Sequence, residues 1–253
     1  MKSAPKQKGR RQRLSLQSLG RAILALLCIP LVAGAGTADR SSAKSSFPTI
    51  IIAALIWLGV TVTATLLMVA YANAPGQSGS PPKDWPKSSQ VPRDAGRPTL
   101  VMFVHPRCPC SRASISELAL LMTYCQEQIN AHVFFLKPAK MAQDWALTDS
   151  WREAAAIPYV TVHCDEAGRE AQLFRAETSG DTVLYDAKGN LLFHGGITIS
   201  RGHSGDNPGR SALQTLVLDQ SAQQTQTPVL QTPVFGCSLF EAECQKGSVE
   251  CKQ

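Results

Sequence analysis

The sequence predicts an α/β fold, a mixed sheet flanked by helices, preceded by a transmembrane helix. Three observations carry this expectation. The apolar run Thr99–Val104 passes through a turn bearing two cysteines into an amphipathic segment, the pattern of a buried strand handing over to a helix. Beyond it, strand-like and helix-like segments alternate and close with a hairpin and a last helix, which is the order of an α/β sheet. Upstream, Thr49–Ala72 runs for 24 residues without a charge, enough for a helix to cross a hydrocarbon core of roughly 30 Å.

The chain opens with a basic arm, residues 1–48, carrying nine Lys/Arg and one Asp. Its net charge of +8, against +6 for the whole chain, leaves −2 for the remainder. The basic balance therefore belongs to the arm, and the apolar run behind it favours anionic lipid over nucleic acid as a partner. Within the arm, Ala22–Ala35 (AILALLCIPLVAGA) follows basic residues and ends in small ones, as a secretory signal peptide does. It is short for a span and contains Pro30. If it is cleaved or spans, Thr49–Ala72 returns the chain to the cytoplasm; otherwise Thr49–Ala72 is a signal anchor. Arg40 and Lys44 between the two runs favour a cytoplasmic linker. The reading is a single pass through the inner membrane by residues 49–72, with the C-terminal part periplasmic or otherwise extracytoplasmic. Two spans is the alternative.

Residues 73–97 (NAPGQSGSPPKDWPKSSQVPRDAGR) are rich in Pro, Gly and Ser and read as an extended tether. The folded domain is expected at 98–218. After the first strand, Ile115, Leu118, Leu121, Met122 and Cys125 recur at helical spacing, with Ser111 or Ser114 as the cap and an end near Ile129. Ala131–Lys137 is a second strand, closed by Pro138. Ala142–Ala156 reads as helix or helical turn, Ile157–His163 as a third strand and Gly168–Ala176 as a short helix. Thr182–Tyr185 and Leu191–Phe193 flank Asp186-Ala187-Lys188-Gly189-Asn190, a hairpin signal. Asn207–Leu218 closes the domain as a helix. Residues 219–253 read as a polar spacer and a cysteine-containing tail, and there is no internal repeat.

On these residues the chain resembles the thioredoxin superfamily, and its layout is similar to the anchored, extracytoplasmic TlpA type. Within that group it looks like the bacterial RedB-like proteins, through HPRCPCSRAS, ETSGDTVLYDAKGNLLFHGGIT and RGHSGDNPGR, over about Pro98–Leu218. The resemblance implies a thioredoxin-like fold and thiol–disulfide exchange with a protein partner. Two departures bear on ordinary thioredoxin-type reductase activity. The family has Cys-x-x-Cys where this chain has Cys108-Pro109-Cys110, and Thr178-Ser179-Gly180-Asp181-Thr182 stands where the family has a cis-proline.

The chemistry follows from position. A cysteine at a strand-to-helix turn meets unpaired N–H groups and the positive end of the helix dipole, which favour a thiolate. Cys108 is the expected nucleophile and Cys110 its resolving partner, with His105 and Arg107 as thiolate-stabilising neighbours. A disulfide closed within Cys-x-Cys makes a tight ring, easily reduced and hence oxidising. No cofactor is needed for such exchange. The alternatives are a structural disulfide in a catalytically silent interaction domain, or a Sco-like copper chaperone. Two thiolates and an imidazole suit Cu(I) or Zn(II). His203, in RGHSGDNPG, is the candidate third ligand, with His105, His163 and His194 behind it.

Of the other cysteines, Cys28 lies in the first apolar run, Cys125 reads as a small core residue and Cys164 as core or partner. Cys237, Cys244 and Cys251 recur every seven residues in the tail. Outside the membrane seven cysteines, an odd number, leave at least one free or intermolecular, with connectivity open. Glu117 and Glu127 read as solvated helix-face carboxylates. Gly195-Gly196 reads as a turn after the hairpin or as a place where a partner's backbone approaches. Phosphate-binding Gly-rich loops, His-Glu-x-x-His and Gly-x-Ser-x-Gly are absent, which removes the corresponding nucleotide, metalloprotease and serine-hydrolase classes.

Overall fold

A computed structural model describes residues 47–94, 96–219 and 229–240. The basic arm with Ala22–Ala35 and Cys28, and the tail with Cys244 and Cys251, lie outside the described residues.

Helix α1, Phe47–Asn73, contains Pro48–Asn73, 26 residues that are long and apolar enough to cross a membrane and 0% buried. Thr61, Thr63 and Thr65 turn their hydroxyls onto carbonyls one turn back, so the few polar groups are satisfied within the helix.

The sheet has six strands in the order β3-β2-β1-β4-β5-β6, the last being Leu230–Gln231. Strand β1 (Thr99–Val104) lies at its centre, parallel to β2 (Asn130–Lys137), which is parallel to β3 (Val160–Glu166). On its other side β1 is antiparallel to β4 (Asp181–Tyr185), which forms a hairpin with β5 (Leu191–Gly195). The helices are α2 (Ser111–Cys125), α3 (Asp149–Ala155), α4 (Arg169–Leu173) and α5 (Pro208–Leu218). Parallel neighbours joined through helices, then an antiparallel hairpin and a closing helix, are the thioredoxin-like arrangement that the resemblance implies.

Alternation along β1 divides the core in two. Leu100, Met102 and Val104 pack with Leu118 and Leu121 of α2 and Leu213 and Leu216 of α5. Val101 and Phe103 face the other way, onto Phe174, Val183 and Tyr185. A strand buried on both faces needs a continuous apolar run, which is what TLVMFV supplies. Each of these large side chains contributes about 2–3 kcal/mol on burial.

Several expectations are corrected. The third strand begins at Val160 rather than Ile157, because the Val160 N–H closes a turn on Ile157 O and Tyr159 takes φ 63°. Its far end extends to Glu166, so Cys164 lies within the strand, exposed rather than in the core. Asp165 explains the extension: its carboxylate accepts the N–H groups of Glu170 and Ala171 and so starts α4 at 2.9 Å from each. The expected helix over Ala142–Ala156 is two pieces, a 3-10 turn at Gln143–Ala146 and α3. Helix α2 is capped by the Cys110 backbone, with no side-chain cap from Ser111 or Ser114.

Residues 73–97 are not a free tether. Trp85 packs edge-on against Phe174 and Tyr185, each at 5.1 Å, and Val91 is buried. Lys83 O accepts the Leu191 N–H, and Glu170 accepts from Ser89 and the Gln90 N–H. Pro, Gly and Ser rule out regular hydrogen-bonding along the segment, but two apolar anchors suffice to hold it on the sheet. Residues 229–240 depart similarly. Leu230–Gln231 adds a sixth strand beside β5, and Val234 and Leu239 are buried. The folded unit therefore exceeds 98–218 at both ends.

Candidate functional site

The two-cysteine turn is fixed from both sides. The Cys108 N–H donates to His105 O at 3.0 Å, and the N–H groups of Ser111 and Ala113 donate to the carbonyls of Cys108 and Cys110 at 3.1 Å. Ser179 holds the turn from the neighbouring loop: its hydroxyl accepts the His105 N–H at 2.8 Å and lies 2.9 Å from Ser111 Oγ. Gly180, at φ 95°, donates its N–H to Phe103 O. There is no cis peptide bond among the described residues. A Thr-Ser-Gly turn thus supports the cysteines through the Ser179 hydroxyl and the Gly180 N–H.

Cys108 and Cys110 are both buried, 4% and 8% exposed. A third cysteine joins them: the sulfurs of Cys108, Cys110 and Cys237 all lie within 4.8 Å of one another. Backbone pairing puts Cys237 there. The Ser179 N–H donates to Cys237 O at 2.8 Å, the Leu239 N–H donates to Glu177 O at 2.9 Å, and Thr178 and Ser238 form an antiparallel bridge. Arg201 Nη1 donates to Gly236 O. Gly236 must be glycine, since a Cβ would collide with the Ser179 carbonyl.

Burial pushes the Cys108 thiol up, but hydrogen bonds outweigh it and hold the group below its ordinary value. They come from the Cys237 S–H and N–H, the Ser111 hydroxyl and the Cys110 N–H. Cys110 is pushed up by burial and by the negative charge on Cys108. Cys237 is pushed up to about 12 by burial and by its bond to Cys108, with Arg201 opposing. The three thiols therefore divide into one favoured thiolate and two proton holders, the arrangement of a nucleophile with two donors.

The principal groups lowering Cys108 are thus Cys237, Ser111 and Cys110, in the place expected for His105 and Arg107. The Arg107 guanidinium lies over the Trp145 ring at 4.9 Å, and His105 meets the same ring edge-on at 5.6 Å. His105 Nδ1 accepts the Arg107 N–H at 3.2 Å. Beside them a depression of about 440 Å³, lined by Pro106, Cys108, Pro109, Arg112 and Asp149 among others, opens to the surface.

His203 is not in this cluster; it is exposed, with Nδ1 2.7 Å from Arg201 O. His163 pairs with His132 at 3.0 Å, and burial lowers both, His132 to about 4. His194 lies on β5. The third donor beside the dithiol is therefore sulfur rather than imidazole. Cys125 is a core thiol as expected, pushed up to about 11 by burial. The five described cysteines are all free thiols.

Ser179 and Cys237 were missed by sequence reasoning. The signal for Cys237 was available: PVFGCSLF is an apolar cluster inside a polar tail. The same segment accounts for Gly195-Gly196, where Thr232 and Pro233 press so closely that neither position has room for a Cβ. The approaching backbone belongs to this chain.

No family model matches the chain, and no curated protein matches it. Among solved structures it is similar to an uncharacterized conserved protein from Geobacillus kaustophilus, at 18% identity and a TM-score of 0.49, over 68% of this chain and 94% of that one. A hypothetical protein from Sinorhizobium meliloti is similar at 22% identity and a TM-score of 0.47, over 64% and 96% of the two chains. A secreted Mycobacterium tuberculosis disulfide oxidoreductase is similar at 15% identity and a TM-score of 0.35, over 49% and 81%. Strand order and register, rather than these likenesses, define the thioredoxin-like fold.

Proposed function

We propose that this chain is a membrane-anchored thiol–disulfide oxidoreductase acting on a protein partner outside the cytoplasm, with Cys108 as the attacking thiolate. The single observation that carries the reading is a buried dithiol, Cys108 and Cys110, held on the turn from β1 into the N-terminus of α2, where hydrogen bonds favour the Cys108 thiolate. Only a thiolate attacks a disulfide sulfur, and a low-pKa thiolate is also a good leaving group. Cys108 thus serves both formation and breakage of a mixed disulfide. Helix α1 supports the anchor, as a single pass of the inner membrane with the sheet domain on the periplasmic side. The basic arm before it favours an N-terminus inside.

A second reading is favoured by one observation, the convergence of three sulfurs within 4.8 Å. Three thiolates suit a soft ion such as Cu(I). In that reading Cys237, rather than His203, completes the set with Cys108 and Cys110.

One experiment separates the two. Cys108 alkylation is followed against pH in wild type, and copper content is measured in wild type, Cys108→Ser and Cys237→Ser. A Cys108 midpoint below about 8.5, with a reversible dithiol and no bound copper, is the outcome expected for the oxidoreductase. Stoichiometric copper lost in both Cys108→Ser and Cys237→Ser selects the metal reading. A midpoint at or above the ordinary value, without copper, overturns both.

A further inference from the structure

We propose that Cys237, carried in by the C-terminal segment, resolves mixed disulfides at Cys108 and forms an internal Cys108–Cys237 disulfide. The proposal rests on thiol exchange at Cys108 and names the sulfur that completes it.

Three features of the geometry point to this thiol. The Cys237 sulfur lies within 4.8 Å of the Cys108 sulfur. The segment bearing it is docked rather than adjacent by chance: it pairs with Glu177 and Ser179, is held by Arg201 at Gly236, and buries Val234 and Leu239. Its ring closure is also unconstrained. A bond between Cys108 and Cys110 closes the tight Cys-Pro-Cys ring, whereas Cys237 reaches Cys108 from a different strand of chain and imposes no such ring.

The steps balance as follows. The Cys108 thiolate attacks one sulfur of a partner disulfide, forming the mixed disulfide and releasing one partner thiolate, which takes a proton. Cys237 loses its proton and attacks Cys108 Sγ, forming the Cys108–Cys237 bond and expelling the second partner sulfur as thiolate. Two electrons pass from the domain's thiols to the partner's disulfide, and the reverse sequence oxidises a partner dithiol.

The test uses the reduced full-length chain in detergent, oxidised glutathione as the probe, alkylation of remaining thiols, and peptide mapping without reduction. A Cys108–Cys237 cross-link in the wild type is expected, with no variant required. In Cys110→Ser the glutathione on Cys108 is released within about tenfold of the wild-type rate. In Cys110→Ser/Cys237→Ser it persists, released roughly 100-fold more slowly because neither thiol beside Cys108 remains to attack. Persistence in Cys110→Ser alone, with Cys108–Cys110 the sole wild-type cross-link, overturns the proposal, as do cross-links from Cys108 to Cys244 or Cys251. Cys108 left unglutathionylated in every variant overturns thiol exchange itself, and the proposal with it.

Discussion

Replacing Glu117 with alanine removes the acceptor on which the loop before α5 is built. The Glu117 side chain is 0% exposed: Oε1 accepts the Gly205 N–H at 2.7 Å, and Oε2 accepts Asn207 Nδ2 at 3.0 Å and Arg210 Nη1 at 2.6 Å. The Arg210 side chain is itself only 12% exposed. Truncation leaves a nearly buried guanidinium, a backbone N–H and an amide without their acceptor. Breaking a buried ion pair from one side costs about 3–5 kcal/mol. Asp206 still reaches Arg210 at 2.9 Å, so the lower end, about 3 kcal/mol, applies. At about 2–4 °C per kcal/mol for a domain of this size, Tm falls by roughly 6–12 °C. The assay is thermal unfolding by circular dichroism of the full chain in detergent, with hydrogen exchange read at Gly205. Glu127, exposed and bonded to the Tyr159 hydroxyl at 3.1 Å, is the control, and Glu127→Ala changes stability by no more than about 0.5 kcal/mol. A Tm change for Glu117→Ala no larger than that of the control would refute the reasoning.

Two further perturbations follow from burial. Asp181 is 1% exposed, and the N–H groups of Glu177, Gly79 and Thr182 lie near its carboxyl without completing hydrogen bonds, so burial raises it to about 7. The folded state then holds the proton to higher pH than the unfolded chain. The resulting stability is present below about pH 4 and is lost as pH rises towards 7, by up to about 4 kcal/mol. Asp181→Asn removes that slope, so the variant gains on wild type between pH 4 and 7; parallel Tm–pH curves would defeat the assignment. Trp85→Ala strips the edge-on contacts to Phe174 and Tyr185 at a cost of about 2 kcal/mol for a half-buried ring. Residues 76–91 then become cleavable by protease before the sheet does, whereas unchanged resistance would show that Trp85 does not hold the segment.

What the sequence by itself determined is what local periodicity encodes. A short run of β-forming apolar residues bounded by turn residues reads as a strand buried on both faces, so TLVMFV announces the centre of the sheet. Leu118, Leu121, Met122 and Cys125 at helical spacing announce the helix that follows, and Asp186–Asn190 announces the hairpin. Cys108 and Cys110 at the junction of strand and helix were therefore legible as chemistry. What only the tertiary structure decided is which distant groups meet there. Glu117 and Glu127 sit on the same run of sequence and look alike, yet one is the buried partner of Arg210 and the other is exposed. Residues 73–94 and 229–240 lie in stretches of linker composition, yet Trp85, Val234 and Leu239 anchor them. Nothing in the sequence pairs Cys237 with Cys108, and its place there comes from backbone pairing to Ser179 and from a glycine that lets two segments touch. Backbone N–H and C=O groups are the same at every residue, so the pattern of side chains carries no record of which distant strands they join.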